Sequence, residues 1–310
     1  MGTIPERSAF KEQLGTKKFF SHIEKLMSNF RQILVFGQTG QVATELSRFD
    51  GVVCLGRAQA DLTDPGACEA VIAQSDAAAV INAAAYTGVD AAEDDRDTAM
   101  IVNAMAPAAM AAACAARGIP FVQISTDYVF DGSGEAAWQP DALTNPLGVY
   151  GASKLGGERG VVAAGGTYAI LRTSWVFSAH GSNFLKTMLR LSETREHLTI
   201  VADQIGGPTP AKDIARACMS IADALIADKS LSGIYHFSGA PDVSWAGFAR
   251  EIFAAAGRDI LVEDIPTSAY PTPAVRPLNS RLDCSSLLQA FDIERPDWRA
   301  ATRDIVKALL

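Results

Sequence analysis

A tyrosine and a lysine lie four residues apart in the stretch VYGASKL, residues 149–155. If this stretch is helical, Tyr150 and Lys154 lie on one face of the helix, one turn apart. Such a pair could transfer a proton, because a nearby ammonium favours the phenolate and lowers a tyrosine pKa that is otherwise about 10. The same spacing is also common on half-buried helices, so the elements around the pair must decide between the two interpretations.

A glycine-containing turn, GQTGQVA, runs from Gly37 to Ala43 between an apolar run and a helical pattern. In this context the glycines let the backbone approach a pyrophosphate at the start of the helix. A plain strand–helix turn is the alternative. At the end of the next strand Arg57 is present and no acid occurs before Asp61. Arginine suits a ribose 2′-phosphate, so the pattern favours NADPH over NADH, although a solvated Arg57 would give the same sequence.

Short apolar runs alternate with helical patterns over the first part of the chain. We predict strands at residues 32–37, 52–56, 78–85, 120–126 and 167–177. An Ala-rich helical segment precedes the fourth strand, and the helix with the Tyr–Lys pair precedes the fifth. This alternation predicts the α/β class, a doubly wound parallel sheet of the Rossmann type that is covered on both faces.

The pattern changes after Phe177, where further helices and strands lead to a proline-containing loop and a last helix around DIVKALL. We predict that residues 28–177, with elements from about 198–238, form an NAD(P)-binding domain. Residues 178–197 and 239–310 would form a smaller substrate-binding α/β part. Residues 1–27 are set aside as a leader or extension of unknown role, because they contain Lys-rich patches and no apolar region of a secretory signal.

The 310-residue chain is 48% hydrophobic and has a net charge of −8. It can bury a large core, and its charge argues against non-specific nucleic-acid binding. No apolar run reaches the roughly 18 residues of a membrane helix. Five cysteines without paired metal-ligand spacing indicate free thiols in a reducing cytoplasm.

The sequence supports no metal site. The four histidines match no ligand spacing. An acidic run is interpreted as a solvated helix start, with a cation site as the alternative, and it consists of Glu93, Asp94, Asp95 and Asp97. Magnesium stays possible without support from the residues.

Eight motifs occur in order between residues 37 and 283. They are GQTGQVATEL, DLTD, NAAAYTGVDAAE, STDYVFDG, YGASKLGGE, RTSWVF, DQIGGPTPAKDIA and RPLNSRLD. On these motifs the chain resembles the extended short-chain dehydrogenase/reductases, and among them the dTDP-4-dehydrorhamnose reductases. The resemblance covers nearly the whole chain after Met27. STDYVFDG and DQIGGPTPAKDIA are more specific than the glycine loop, because they extend to the substrate side of the fold.

The resemblance implies an NADPH-dependent oxidoreductase of the cytoplasm, with NADH as a possible second cofactor. Its substrate would be a nucleotide sugar, dTDP-4-dehydro-6-deoxy-L-mannose, whose C4 ketone is reduced in the last step of activated rhamnose synthesis for cell-surface polysaccharide. A homodimer is possible, and some relatives use magnesium at a dimer contact. No nucleic-acid or membrane partner is implied.

The family's catalytic trio corresponds to Thr126, Tyr150 and Lys154. The resemblance implies that Tyr150 protonates the carbonyl oxygen, that Thr126 hydrogen-bonds to it, and that Lys154 also holds the nicotinamide ribose. Further implied cofactor contacts are Gly37, Thr39, Gly40, Gln41, Val42, Arg57, Asp61, Leu62, Ala83, Ala84, Ala85, Tyr86 and Asn103. Implied substrate contacts are Ser125, Asp127, Tyr128, Trp175, Gln204, Thr209, Arg276 and Asn279.

Several alternatives remain at this point. Trp175 could be simple core, and Arg276, chosen for the diphosphate by its charge, could form a surface ion pair. A related sugar-nucleotide dehydratase or epimerase is a second enzyme, but such dehydratases have a glutamate where this chain has Tyr128. A regulatory subunit that binds the cofactor without turnover, as in the β-subunit of methionine adenosyltransferase, shares these motifs. Ser153 replaces the threonine of many relatives, which we expect to matter little.

Overall fold

The computed structural model describes residues 32–310, so the prediction for residues 1–27 lies outside the described part of the chain. The strands are β1 (Ile33–Phe36), β2 (Val52–Leu55), β3 (Ala79–Asn82), β4 (Phe121–Thr126), β5 (Tyr168–Thr173), β6 (Val176–Phe177), β7 (His197–Val201), β8 (Ile205–Gly206), β9 (Thr209–Pro210), β10 (Gly233–His236), β11 (Val243–Ser244), β12 (Leu261–Ile265) and β13 (Asn279–Ser280). The helices are α1 (Gln41–Leu46), α2 (Pro65–Gln74), α3 (Ala91–Asp94), α4 (Arg96–Met100), α5 (Ala106–Arg117), α6 (Val149–Ala163), α7 (Phe184–Leu191), α8 (Ala211–Ala227), α9 (Trp245–Ala255), α10 (Ser285–Phe291) and α11 (Trp298–Leu309).

Six strands form a central sheet in the order β10-β5-β4-β3-β1-β2. All its neighbouring strands are parallel. The predicted fold class, a doubly wound parallel sheet, is therefore confirmed. In chain order the sheet is built from β1 first to β2 on one side and then to β3, β4 and β5 on the other, so the order reverses between β1 and β3. Ligands of such sheets bind at the carboxyl ends of the strands beside this reversal.

Helices cover both faces of the sheet. Successive residues of each strand point to opposite faces, so apolar side chains of one strand pack against helices on both sides. Ile33 and Val35 of β1 pack in a cluster with α8. Leu34 and Phe36 of the same strand pack in a second cluster with α2 and α5. All four side chains are at most 4% exposed. The apolar runs of the sequence are thus the two-sided core of a parallel sheet.

The Ala-rich segment Arg96–Arg117 is long and apolar enough, by composition alone, to cross a membrane. Half of its most apolar window, 50%, is buried inside the fold. It comprises α4, a π-helix at Ile101–Met105 and α5, and it packs against both α2 and α6. These contacts are typical of a core helix that packs on one face of the central sheet.

A smaller part of the molecule packs around α7, α9 and α11, with Trp298 fully buried at its centre. Its two-stranded sheet pairs β7 with β12, whereas β10 joins the central sheet next to β5. The sequence predicted that the first domain takes elements from about residues 198–238, and of these β10 lies in the central sheet whereas β7 lies in the smaller sheet. Strand pairing decides this, and the alternation of elements along the chain does not reveal pairing.

The strand predicted at 167–177 is two strands in the structure, because Trp175 lies between them with a left-handed φ of 49°. A bulky residue with positive φ is uncommon and interrupts the extended backbone. After this break, β6 pairs with β9 and leaves the central sheet. Such local strain is often found at functional sites.

Candidate active site

Tyr150 and Lys154 lie on α6, beside the carboxyl end of β4. Lys154 is 4% exposed, and its Nζ donates a hydrogen bond of 2.7 Å to the carbonyl of Ile124 on β4. Tyr150 lies edge-on to Tyr128, with 5.5 Å between the ring centroids. Thr126, the last residue of β4, lies close enough to Tyr150 for a side-chain hydrogen bond. The structure thus brings the three predicted catalytic residues together.

Burial acts on both members of the Tyr–Lys pair. It raises the pKa of Tyr150, and the nearby Thr126 hydroxyl partly opposes this effect. Burial also lowers the pKa of Lys154 to about 8, while the carboxylate of Glu158 opposes the shift. Near neutral pH the pair therefore holds a protonated tyrosine and a charged lysine. That is the state in which a phenol can give a proton to a carbonyl oxygen.

Asp127 adds a buried carboxyl group to this edge of the sheet. It is 3% exposed, and its Oδ1 accepts a hydrogen bond of 3.0 Å from Thr126. Its Oδ2 has no hydrogen-bond partner in the described part of the chain. Burial raises the pKa of Asp127 to about 6. Asp127 is thus a buried carboxyl group beside Thr126, and its role as a substrate contact stays a prediction.

Tyr128 and Arg276 lie next to each other, because the Arg276 guanidinium approaches the Tyr128 hydroxyl. Nη2 of Arg276 donates a 2.7 Å bond to Oδ2 of Asp90, and the other Asp90 oxygen accepts from the Ala274 backbone. The ion pair that sequence left as the alternative for Arg276 is therefore present. It is partly exposed, and it joins the loop after β3 to the segment before β13.

Trp175 stacks on Trp245 at the start of α9, with ring centroids 3.6 Å apart and 12° between planes. Nε1 of Trp245 donates to Oε1 of Gln204, and Nε2 of Gln204 donates to Thr267. Both indole rings are partly exposed. Together they form an apolar platform. Sequence reasoning missed Trp245, which lies 70 positions after Trp175 in a helix-start pattern with no chemical signature.

Three other predicted substrate contacts are buried and bonded within the fold. Ser125 donates to Glu158, with 2.5 Å between Oγ and Oε1. Thr209 is fully buried and donates to the Gly207 carbonyl. The Asn279 amide donates to the Ala136 carbonyl at 2.8 Å. Their roles as substrate contacts stay predictions, and their observed bonds hold the surrounding loops.

The glycine loop follows β1 as predicted. Gly37 has a left-handed φ of 119°, and a Cβ there would lie 3.3 Å from Ala43, Ala83 and Ala84. The Cβ-free backbone therefore packs directly against the small residues that follow β3. Gly40 is exposed at the N-cap of α1, where no side chain caps the helix. The loop fits a pyrophosphate, because the exposed backbone at Gly40 opens the uncapped N-terminus of α1.

The other predicted cofactor residues differ in their exposure. Arg57, at the end of β2, and Thr39 are exposed. The Gln41 side chain is held by Ser178 and Asn183, and Val42 and Leu62 are core residues. Asp61 accepts from the Thr63 backbone, which lowers its carboxyl pKa. The remaining predicted positions directly follow β3 at the sheet's carboxyl edge, and these are Ala83, Ala84, Ala85 and Tyr86.

Asn103 lies in the π-helix and is 1% exposed. Its amide bonds to both backbone groups of Tyr86 and donates to Ser153 at 3.0 Å. Ser153 in turn donates to the Tyr150 carbonyl at 2.8 Å. Asn103 therefore links the cofactor side to the catalytic helix. Both side-chain hydrogen bonds of Ser153 are made by its hydroxyl group, which threonine also has, and this explains why serine can replace threonine here.

The acidic run divides in the structure. Asp94, Asp95 and Asp97 are exposed, as a solvated helix start predicts. Glu93, in contrast, accepts a 2.9 Å bond from the Val149 backbone, the first residue of α6. A carboxylate at this end stabilises the helix that carries Tyr150. Within residues 32–310, no group of acidic, histidine or cysteine side chains could hold a metal ion.

The glycines of α6 let this helix approach its neighbours closely. A Cβ on Gly157 would lie 2.1 Å from the backbone oxygen of Asn103. Gly157→Ala should therefore lower the free energy of unfolding by about 1–3 kcal/mol, even though alanine favours helices. Gly66→Ala on α2 is the matched control, since its nearest atom is 3.5 Å away and no loss is expected there. Urea denaturation measures both, and equal stability of the two variants would contradict the close-approach argument.

The chain is similar to proteins of a known family. The family model described as the RmlD substrate binding domain matches residues 31–310. The chain belongs to this family. A dTDP-4-dehydrorhamnose reductase of Sinorhizobium fredii is 45% identical over 293 residues, which are 90% of this chain and 98% of that protein. The resemblance to dTDP-4-dehydrorhamnose reductases that the motifs indicated is confirmed, and the chain is an oxidoreductase that acts on a nucleotide-sugar ketone.

Solved structures agree with the family. A dTDP-4-dehydrorhamnose reductase of Clostridium acetobutylicum superposes with a TM-score of 0.83 at 35% identity, over 90% of this chain and 99% of that one. One from Bacillus anthracis, solved in complex with NADP, has a TM-score of 0.83 at 32% identity and the same coverage. The α/β fold with its six-stranded parallel sheet is thus that of these dTDP-4-dehydrorhamnose reductase structures.

Proposed function

We propose that the protein reduces the C4 ketone of dTDP-4-dehydro-6-deoxy-L-mannose, with NADPH as reductant, to give dTDP-L-rhamnose. The observation that carries this proposal is the convergence of Thr126, Tyr150 and Lys154 at the carboxyl end of β4. The names of the relatives, dTDP-4-dehydrorhamnose reductases, support the choice of ketone.

Tyr150 is the proposed proton donor. When bound, the cofactor supplies the hydride. As negative charge develops on the carbonyl oxygen, the Tyr150 hydroxyl transfers its proton to it and the Thr126 hydroxyl donates a hydrogen bond. The ammonium of Lys154 stabilises the resulting phenolate. Since Lys154 is almost completely buried, its charge acts on the phenolate with little screening by water.

The cofactor would lie across the carboxyl ends of β1 and β3. The Gly37–Gly40 backbone would hold its pyrophosphate, and Arg57 would face the 2′-phosphate. Arg57 is exposed and forms no ion pair within the described residues, so its charge is available. The B. anthracis enzyme, which is known with NADP, supports the same choice. Lys154 would also hold the nicotinamide ribose.

On the substrate side, Asp127, Tyr128 and the Trp175 platform are the proposed sugar contacts. Arg276 would meet the diphosphate, and its Asp90 partner keeps the guanidinium beside Tyr128 until then. We further propose cytoplasmic action and the two-part division, with the boundary set by the β7–β12 and β10–β5 pairings. The homodimer and a magnesium ion remain predictions from the resemblance.

The alternatives differ from a reductase in what happens to the cofactor. A dehydratase or epimerase returns its hydride to the sugar, so it consumes no net NADPH. Tyr128 also occupies the position where such dehydratases have a glutamate, although the neighbouring carboxyl Asp127 is present. A regulatory subunit would bind NADPH without turnover. NADPH consumption therefore separates the reductase from both alternatives. Conversion of the nucleotide sugar without NADPH consumption separates a dehydratase or epimerase from a regulatory subunit.

The test is an assay of purified protein with dTDP-4-dehydro-6-deoxy-L-mannose and NADPH. We expect one NADPH oxidised for each C4 alcohol formed, measured by absorbance and by chromatography of the nucleotide sugar. A parallel assay with NADH should show a lower kcat/KM, because Arg57 would then lack its phosphate partner. NADPH binding with neither NADPH oxidation nor conversion of the nucleotide sugar would contradict the proposal and favour the regulatory subunit.

A further inference from the structure

A buried ion pair lies behind the catalytic lysine, on the same face of α6. Glu158 follows Lys154 by one helical turn, just as Lys154 follows Tyr150, so the three side chains form one row. Arg172 on β5 donates two bonds to Glu158, of 2.9 Å from Nε and 2.7 Å from Nη2. Both residues are 2% exposed. This bidentate contact fixes the position of the carboxylate.

The pair is anchored from several elements. Ser125 at the end of β4 donates to Glu158, and Arg172 donates to the Pro140 carbonyl at 3.0 Å. Nη1 of Arg172 also lies 3.3 Å from Nε2 of His236 on β10. Burial lowers the pKa of His236 to about 3, so the ring is neutral and accepts this bond. Its Nδ1 then donates to the Trp138 carbonyl.

We propose that Glu158 is a positioning residue for the reduction, whose buried carboxylate, one helical turn along α6, keeps the Lys154 ammonium in its charged form beside Tyr150. This inference rests on the proposed function, because part of its test measures the rate of ketone reduction. Lys154 has a carbonyl partner on β4, which is a dipole and carries no charge. Glu158 supplies the negative charge that offsets the loss of hydration of the buried ammonium.

Other charged groups face this row and have different effects. Asp127 and Tyr128 lie on the Tyr150 side, where the Asp127 carboxylate raises the Tyr150 pKa. Glu93 lies at the start of α6, next to Val149. Arg172 pairs with Glu158, and its positive charge weakens the effect of the Glu158 carboxylate on Lys154 without cancelling it. Glu158 is thus the carboxylate placed one turn from Lys154 on its own helix.

The alternative role for Glu158 is purely structural, as one half of a buried pair that holds α6 on β5. Breaking such a pair on one side is strongly destabilising, so Glu158→Gln alone could fail to fold. Replacing both charges by apolar residues of similar size is often neutral for stability. The informative variant is therefore Glu158→Leu combined with Arg172→Met, which removes the charge and keeps the packing.

The experiment measures kcat against pH, the NADPH dissociation constant against pH, and Tm. Without the Glu158 charge, Lys154 loses its proton at lower pH. We expect the alkaline limb of both pH profiles to move about one unit or more toward acid in Glu158→Gln. In the double variant it should move in the same direction but by less, because the opposing Arg172 charge is removed as well. Glu158→Asp keeps the charge and should restore most of the wild-type profile. Asp242→Asn, which breaks the Arg295 pair far from α6, is the control and should leave the limb unchanged.

The outcomes separate the two roles. A double variant with wild-type Tm and an unshifted alkaline limb would overturn the proposal and leave Glu158 a structural residue. A shift in the double variant that Glu158→Asp reverses would support it. If wild-type protein shows no ketone reduction, the proposed function fails, while the pH profile of NADPH binding still reports on Lys154.

Discussion

Replacing Tyr150 by phenylalanine should lower kcat for ketone reduction by about a hundred- to ten-thousand-fold, the range that general acid catalysis contributes. The change removes the proposed proton donor and keeps the ring that lies edge-on to Tyr128. Thr126 still offers a hydrogen bond, so some turnover should persist. The KM for both substrates should change little, because the lost interaction acts mainly on the developing oxyanion.

The measurement is steady-state NADPH oxidation, with NADPH binding followed by fluorescence to show that the site remains intact. Tyr235→Phe is the matched control. Its hydroxyl donates to the Leu231 carbonyl at 2.7 Å on β10, away from the site. That variant should keep wild-type kcat and lose about 1 kcal/mol of stability. A Tyr150→Phe enzyme within tenfold of wild type would show that another group supplies the proton.

Much of the fold, and the common helix face of Tyr150 and Lys154, could be predicted because the information is local. The alternation of apolar runs with helical patterns predicts a doubly wound sheet, and the four-residue spacing places Tyr150 and Lys154 on one face. Both inferences need only the geometry of a single helix or strand. The glycine loop was predictable for the same reason, as its strand–turn–helix context is contiguous.

The partners of these residues could not be predicted, since they come from distant parts of the chain. Arg276 meets Asp90 across 186 positions, and Arg172 meets His236 across 64. Which strands pair, and where β5 breaks at Trp175, depends on tertiary packing that no local pattern carries. Glu158 had a detectable signal, one further turn from Lys154 within YGASKLGGE, but only its burial against Arg172 gives it meaning.

Lys154→Met should change activity and stability in opposite directions. Turnover should fall about a hundred-fold or more, because the Tyr150 phenolate loses its stabilising charge and the ribose loses a proposed contact. Stability near neutral pH should rise by about 1–2 kcal/mol. Burial depresses the lysine pKa from 10.5 to about 8, so the charged form destabilises the fold at lower pH. The lost bond to the Ile124 carbonyl offsets part of the gain.

The pH dependence tests the cause of that gain. Between about pH 8 and 10.5 the unfolded chain holds more protons on Lys154 than the folded one, so wild-type stability rises with pH there. The advantage of Lys154→Met should therefore be full below pH 8 and disappear by about pH 10.5. Urea denaturation across this range, with Lys229→Met as an exposed-lysine control, measures it. A less stable Lys154→Met protein at neutral pH would mean that the Glu158 charge already outweighs the burial of the ammonium.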